Sequence, residues 1–144
     1  MYIRATKDTN DGKFYVLAYL DFLYKQNRQR IVINFLIDTG AVSTMISWNN
    51  AKDIMHIDIK TLPKNRMKFL GIGGGEINSY ILSTYQLLFA SEGGWYNHHI
   101  LNISVGDSHT TNGERCPEIS SIIGMDIISQ FKFSTDGNFA YLIK

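Results

Sequence analysis

The chain has 144 residues, 44% of them hydrophobic and 19% charged, which suits one domain with one core. That balance excludes a disordered chain, and no stretch approaches the ~18 uninterrupted apolar residues of a membrane-spanning helix. Fourteen Lys and Arg against thirteen Asp and Glu leave a net charge of +1, with no electrostatic bias towards nucleic acid or an acidic membrane face.

Met1 to Asp8 lacks the apolar core of a signal peptide, so the expected location is cytoplasmic. Residues 1–12 are polar and read as a flexible segment or an interface strand ahead of a domain spanning 13–144. Phe14 to Leu23 is rich in aromatic and β-branched residues and predicts a strand. The polar stretch Lys25 to Arg30 predicts a turn, and Ile31 to Ile37 a second strand, completing a hairpin. The apolar runs in both strands imply burial on both faces. Ser47 to Met55 has a helical pattern capped by Ser47 or Asn49, and Pro63 marks a boundary after it. Arg66 to Leu70 and Glu76 to Leu82 read as strands around a Gly71-Ile-Gly-Gly-Gly75 turn. Tyr85 to Ala90 and Tyr96 to Val105 form a further hairpin around Ser91-Glu-Gly-Gly94, and Gly106 to Glu118 reads as a loop. Ile119 to Ile123 is a strand, and Met125 to Gln130 a short helix or turn. The last hairpin pairs Phe131-Lys-Phe133 with Phe139 to Ile143. The pattern is all-β, with one or two short helices.

The segment Phe35-Leu-Ile-Asp-Thr-Gly-Ala41 carries the most chemical information. An apolar strand runs into a carboxylate, then a hydroxyl, a glycine and a small residue. A carboxylate at the end of a buried strand is costly unless hydrogen-bonded, and Thr39 and the Gly40 backbone are placed to supply those bonds. Taken alone, Asp-Thr-Gly is also ordinary turn chemistry. Two further features follow it: the glycine-rich hairpin at Gly71 to Gly75, and Ile122-Ile-Gly124 ahead of a short helix.

In that order, Leu36-Ile-Asp-Thr-Gly-Ala41, the Gly71-Ile72-Gly73-Gly74-Gly75 turn and Ile122-Ile123-Gly124 resemble the retropepsin-like aspartic peptidases. The resemblance extends over nearly the whole chain. It implies a single-lobed acid-protease half-fold, a closed β-barrel, with Asp38 as the catalytic residue. Thr39, Gly40 and Ala41 would support the active-site loop. Thr39 would hydrogen-bond across a dimer axis, and Gly40 would offer its backbone to substrate. Gly71 to Gly75 would form the flap tip over an extended peptide. Ile122, Ile123 and Gly124 would support the loop from behind. The family needs no cofactor or metal. Viral members usually carry an acid and an arginine where this chain has Val42 and Met125, a pair that braces their dimer. Asp-Thr-Gly-Ala-Val-Ser is nearer to cellular and microbial members. Tyr2 to Ala5 and Phe139 to Lys144 are the interface strands this points to.

One carboxylate does not hydrolyse a peptide bond by this route. Two must share a proton, one acting as base towards water and the other as acid towards the substrate carbonyl. The chain contains a single Asp-Thr-Gly, and a two-lobed enzyme needs roughly twice this length. The second carboxylate must therefore come from a second copy, making a homodimer the expected active form and a polypeptide its substrate. The reading from a different class is a retropepsin-like module kept for binding or dimerisation.

Other motifs carry less. Gly71-Ile-Gly-Gly-Gly-Glu76 fails as a phosphate loop, because Glu76 occupies the third glycine position and a strand follows. His98, His99, His109 and Cys116 do not match a zinc spacing, and adjacent histidines on a strand point to opposite faces. The single Cys116 has no base nearby in sequence and cannot form an internal disulfide. Trp48, Trp95 and the tyrosines read as core or cross-strand partners rather than a base-stacking platform.

Overall fold

A computed structural model describes residues 1–70 and 74–144. The chain opens with β1 (Tyr2–Lys7), so residues 1–12 contribute a paired strand rather than a loose tail. It continues through β2 (Phe14–Tyr24), β3 (Asn27–Ile37), β4 (Met45–Ile46) and helix α1 (Trp48–Asp53). A single 3-10 turn at Ile59–Thr61 leads to β5 (Phe69–Leu70), β6 (Glu76–Ser91), β7 (Gly94–His99) and β8 (Asn102–Thr110). Last come β9 (Ser121–Ile123), α2 (Met125–Ile128), β10 (Lys132–Thr135) and β11 (Phe139–Ile143). No helix among the described residues is long and apolar enough to cross a membrane.

The strands pair in the order β10-β11-β1-β2-β3-β9-β4-β8-β6-β5, and β6 pairs back onto β2. That second pairing closes β2, β3, β9, β4, β8 and β6 into a barrel, the all-β single-lobed architecture expected from the sequence. Closure removes free edges from the barrel. The first residues of β2 pair with β1, through Thr6↔Tyr15 and Lys7↔Phe14. Its later residues, Ala18 to Leu23, pair with β6. One long strand thus joins the barrel to the terminal sheet of β1, β11 and β10.

The barrel interior takes one face of each strand. On β2, Val16, Ala18, Leu20 and Phe22 are buried while Leu17 is 61% exposed. On β3, Ile33, Phe35 and Ile37 are buried while Val32 and Asn34 face outward. This corrects the expectation of two buried faces: among the described residues no second layer packs over the outer side of this hairpin, so period-2 alternation sets burial. Phe22, Phe35, Phe89, Leu20, Leu82 and Leu87 anchor the core, each contributing about 1.5–3 kcal/mol by leaving water.

Three further boundaries differ from the sequence reading. The β2–β3 turn is two residues, Lys25 and Gln26, both at positive φ (49° and 63°). Asn27 to Arg30 therefore belongs to β3, because a tight turn of that hand matches the strand twist. Glu76 to Ser91 is one strand, not two, since β8 pairs with its first half and β2 and β7 with its second. Tyr96 to Val105 is instead split between β7 and β8, with the break at Ile100 and Leu101, and β8 runs on to Thr110.

Candidate active site

Strand β3 lies parallel to β9, through Phe35↔Ser121, Leu36↔Ile122 and Ile37↔Ile123. On the far side of β9 lies β4, through Met45↔Ile122. The chain must therefore cross over the end of β9 to pass from β3 to β4. Residues 38–44 make that crossing, and the first of them is Asp38.

Gly124 follows β9 directly beneath the crossing. A Cβ there would lie 2.6 Å from the carbonyl carbon of Ser43, 2.7 Å from its oxygen and 3.0 Å from the Ala41 oxygen. Those are backbone atoms, which cannot move aside cheaply, so only glycine fits. Ile123 is fully buried and Ile122 half-buried. Ile123 O accepts the Asp38 N–H at 3.0 Å, and Met125 N–H and Asp126 N–H donate to the Ala41 and Val42 carbonyls at 2.8 and 3.1 Å.

Thr44 and Asp126 complete this lock, and the sequence reading passed over both. The Asp126 carboxylate accepts the Thr44 N–H at 3.0 and 3.1 Å and the Thr44 hydroxyl at 2.8 Å. The Thr44 Oγ1 in turn accepts the Gly124 N–H at 3.1 Å. Thr44 is 3% exposed, so its polar atoms need these partners. The available signal was a carboxylate two residues beyond the second glycine, at the start of a short helix. Its partner is 82 positions away, and sequence alone does not pair them.

The outward side of the crossing is different. Asp38 is half-buried; its Oδ1 accepts the Gly40 N–H at 2.9 Å. Its Oδ2 and the exposed Thr39 hydroxyl make no hydrogen bond among the described residues. Ala41 N–H closes the turn onto the Asp38 carbonyl at 3.2 Å. Val42 is 82% exposed, and Met125 beside it is 37% exposed.

Strands β5 and β6 form a hairpin with Leu70 opposite Glu76, and Lys68 is ion-paired to Glu76 at 2.9 Å. The expected tip residues Gly71, Ile72 and Gly73 lie outside the described residues. Gly74 has φ +85°, a conformation that favours glycine. A Cβ on Gly75 would come 2.8 Å from Thr110 Cγ2. The hairpin base leans on the end of β8, where Thr111 N–H donates to Glu76 O at 2.8 Å. Met67, just ahead of β5, and Leu70 within it leave exposed apolar surface, at 65% and 80%.

Helix α1 braces the other wall. Ser47 caps it, its Oγ accepting the Asn50 N–H at 3.3 Å. Asn49 exchanges two hydrogen bonds with Ile119, at 2.9 and 3.1 Å, and the Trp48 indole donates to Pro117 O at 3.1 Å. These bonds hold loop 111–120 as it enters β9. Asp107, 4% exposed, lies behind that wall. Its Oδ2 accepts Lys60 Nζ at 2.8 Å and the Tyr80 hydroxyl at 3.3 Å. Burial works against the ionised form of Asp107, but Lys60 and two backbone N–H groups outweigh it and hold its pKa below the usual carboxylate range.

Among the other residues singled out in the sequence, His98 and His99 alternate across β7, half-buried and exposed. Burial lowers the pKa of His98. Cys116 is half-buried, and desolvation raises its thiol pKa. Trp48 is a core residue, whereas Trp95 is 61% exposed with its ring centroid 5.4 Å from that of Tyr19.

Neither the protein-family models nor the curated proteins compared with this chain give a match. Among solved structures, the chain is similar to a retropepsin-like aspartic protease from Rickettsia conorii, with a TM-score of 0.62 and 20% identity. The similarity covers 99% of this chain and 89% of that one. The chain therefore has the retropepsin-like fold.

Proposed function

We propose that this chain is one half of a homodimeric aspartic endopeptidase. The observation that carries the reading is the asymmetry at Asp38: the loop that presents it is hydrogen-bonded and packed from behind, while Oδ2 and Thr39 face outward without a partner among the described residues. The similarity to a solved aspartic protease adds support at the level of the fold.

In this reading, Asp38 of a second copy meets the first across a two-fold axis. Two carboxylates that close cannot both ionise, so the pair holds one proton. The ionised Asp38 takes a proton from a water molecule as its oxygen attacks the scissile carbonyl carbon. The protonated Asp38 donates to the carbonyl oxygen, giving a tetrahedral diol. Proton transfer to the amide nitrogen then breaks the C–N bond and restores the shared proton. Thr39 holds the two loops in register, Gly40 and Ala41 border the peptide, and the β5–β6 hairpin covers it.

Strands β1 and β11 pair with each other inside one chain, from Tyr2↔Ile143 to Thr6↔Phe139. β11 also pairs with β10 on its other side. The hydrogen-bonding edges they share are therefore in use. In this reading the second copy approaches along the Thr39–Val42 surface, where Val42 and Met125 offer apolar contact in place of an ion pair, with the terminal strands as the further expected contact. Both being apolar, neither strands a buried charge there.

The test is cleavage of a denatured protein between about pH 3 and 7 by wild type and by Asp38→Asn. A bell-shaped profile for wild type with no cleavage by the variant supports the reading. Equal activity in both would assign the cleavage elsewhere and refute the mechanism. Silence in both would leave a binding module with this fold.

A further inference from the structure

A groove of about 530 Å³ lies between α1, the segment 56–60 after it, the end of β8 and Arg115. Its floor is apolar, with Trp48 5% and Ile57 3% exposed. Its rim is cationic: Lys52 from the last turn of α1, Lys60 and Arg115 line it, with the imidazoles of His56 and His109. One acid, Asp58, is present, and its carboxylate accepts the Lys60 N–H at 3.2 Å. The charge on Lys60 is compensated by Asp107 at 2.8 Å. Lys52 and Arg115 have no ion-pair partner among the described residues. The Arg115 guanidinium sits 5.4 Å from the Trp48 ring centroid, which fixes it over the apolar floor. With Asp58 and Asp107 set against Lys52, Lys60 and Arg115, the groove keeps a net positive charge, carried by the unpaired Lys52 and Arg115 heads on its rim.

The groove adjoins the candidate active site. Trp48 also lines a small apolar pocket with Met45, Ile77, Cys116, Pro117 and Ile119. Met45 is the β4 residue paired with Ile122, beside the Asp38 crossing, and Ile77 belongs to the base of the β5–β6 hairpin. Trp48 lines both cavities, and its indole donates to Pro117 O at 3.1 Å in the smaller one.

We propose that this groove binds an acidic segment of the polypeptide substrate, flanking the bond to be cut, with side-chain carboxylates meeting Lys52 and Arg115. The assignment rests on the peptidase reading for its link to cleavage, but not for binding itself. Carboxylates suit the site because guanidinium and ammonium groups form charge-assisted hydrogen bonds with them, and the apolar floor lowers the local dielectric.

The experiment uses full-length Asp38→Asn protein and two fluorescent peptides of equal length. One carries a run of Glu beyond an apolar centre and the other Gln at the same positions. Affinity is read by anisotropy at two salt concentrations. The Glu peptide is expected to bind about tenfold tighter, two modest ion pairs' worth, and the gap narrows at high salt. Adding Lys52→Glu with Arg115→Glu abolishes the preference, whereas Lys13→Glu with Lys25→Glu, an equal charge change elsewhere, keeps it. Thermal melting verifies that these exposed substitutions leave the protein folded. Equal or unmeasurable binding of both peptides overturns the proposal, as does a preference that survives Lys52→Glu with Arg115→Glu or disappears in the control. A Glu preference without cleavage by wild type would uphold the groove and remove the peptidase reading. Cleavage without the preference would do the reverse.

Discussion

The two sides of the Asp38 crossing differ sharply. Behind it, Thr44, Gly124 and Asp126 satisfy one another through bonds of 2.8 to 3.1 Å, and no space remains for one extra methyl group at Gly124. In front, Asp38 is half-buried with Oδ2 unpaired among the described residues, and Thr39 and Val42 are exposed. Native interiors rarely leave polar groups unpaired, but surfaces awaiting a partner do. The contrast teaches that the loop is fully built by one chain, whereas the chemistry proposed for it would need a second.

Substitutions on the two sides should therefore behave differently. The largest expected loss comes from Gly124→Ala, whose Cβ would overlap the Ser43 backbone. We expect about 3 kcal/mol off the unfolding free energy in urea, with activity lost as the crossing is displaced. A full wild-type denaturation midpoint in that variant would mean the loop is not packed as described.

Asp126→Ala comes next. It strands the buried Thr44 N–H and hydroxyl, at a cost of about 2 kcal/mol. Asp126→Asn keeps one acceptor oxygen and should fall between alanine and wild type. If alanine and asparagine are equally mild, the carboxylate does not hold the loop.

A smaller effect concerns Asp107, which is enclosed by one chain as the back of the crossing is. Its folded pKa lies below its unfolded value, so its contribution to stability is complete above the unfolded pKa of ~3.9. That contribution is lost as pH falls through the folded pKa, in the region below about pH 4. Asp107→Asn should cost about 1–2 kcal/mol at pH 7. It should also flatten the acid limb of the stability curve, as measured by denaturant titrations from pH 2 to 7. Parallel curves for the two proteins would show that Lys60 does not stabilise the ionised form.

The smallest effect on folding belongs to the front. Val42→Asp replaces an 82% exposed side chain, so monomer stability should change by no more than about 0.5 kcal/mol. Self-association measured by sedimentation should nevertheless weaken, because two copies then bring carboxylates to the same axis. Unchanged association would move the interface away from Val42.

Much of this was legible in the sequence, for reasons that are themselves local. The strand leading into Asp38, the Ser47 cap and the final hairpin follow from side-chain period, capping chemistry and turn residues. The long strand β6 was not legible, because Ser83 and Thr84 interrupt its apolar pattern. Thr84 is buried in the structure and donates its hydroxyl to Ile100 O at 2.7 Å. The one-sided burial of β2 and β3 depends on what packs outside them, which composition does not carry. The same holds at the site. Asp38, Thr39 and Gly40 announce themselves by adjacency, and Ile122 to Gly124 by a compact pattern. Asp126 acts through Thr44, far away in sequence, so its role appears only when β9 slots between β3 and β4. The cationic groove is likewise assembled from α1, β8 and a loop that share no motif.

The measurement that decides the account is a mixing experiment. A fixed low concentration of wild type is titrated with Asp38→Asn, and cleavage of a denatured protein is followed after exchange of subunits. If each active site needs one Asp38 from each of two chains, mixed dimers are dead, and activity per wild-type chain falls with the wild-type fraction of the mixture. Activity that stays proportional to wild type alone, however much variant is present, would show that one chain completes the site by itself and would contradict the shared dyad.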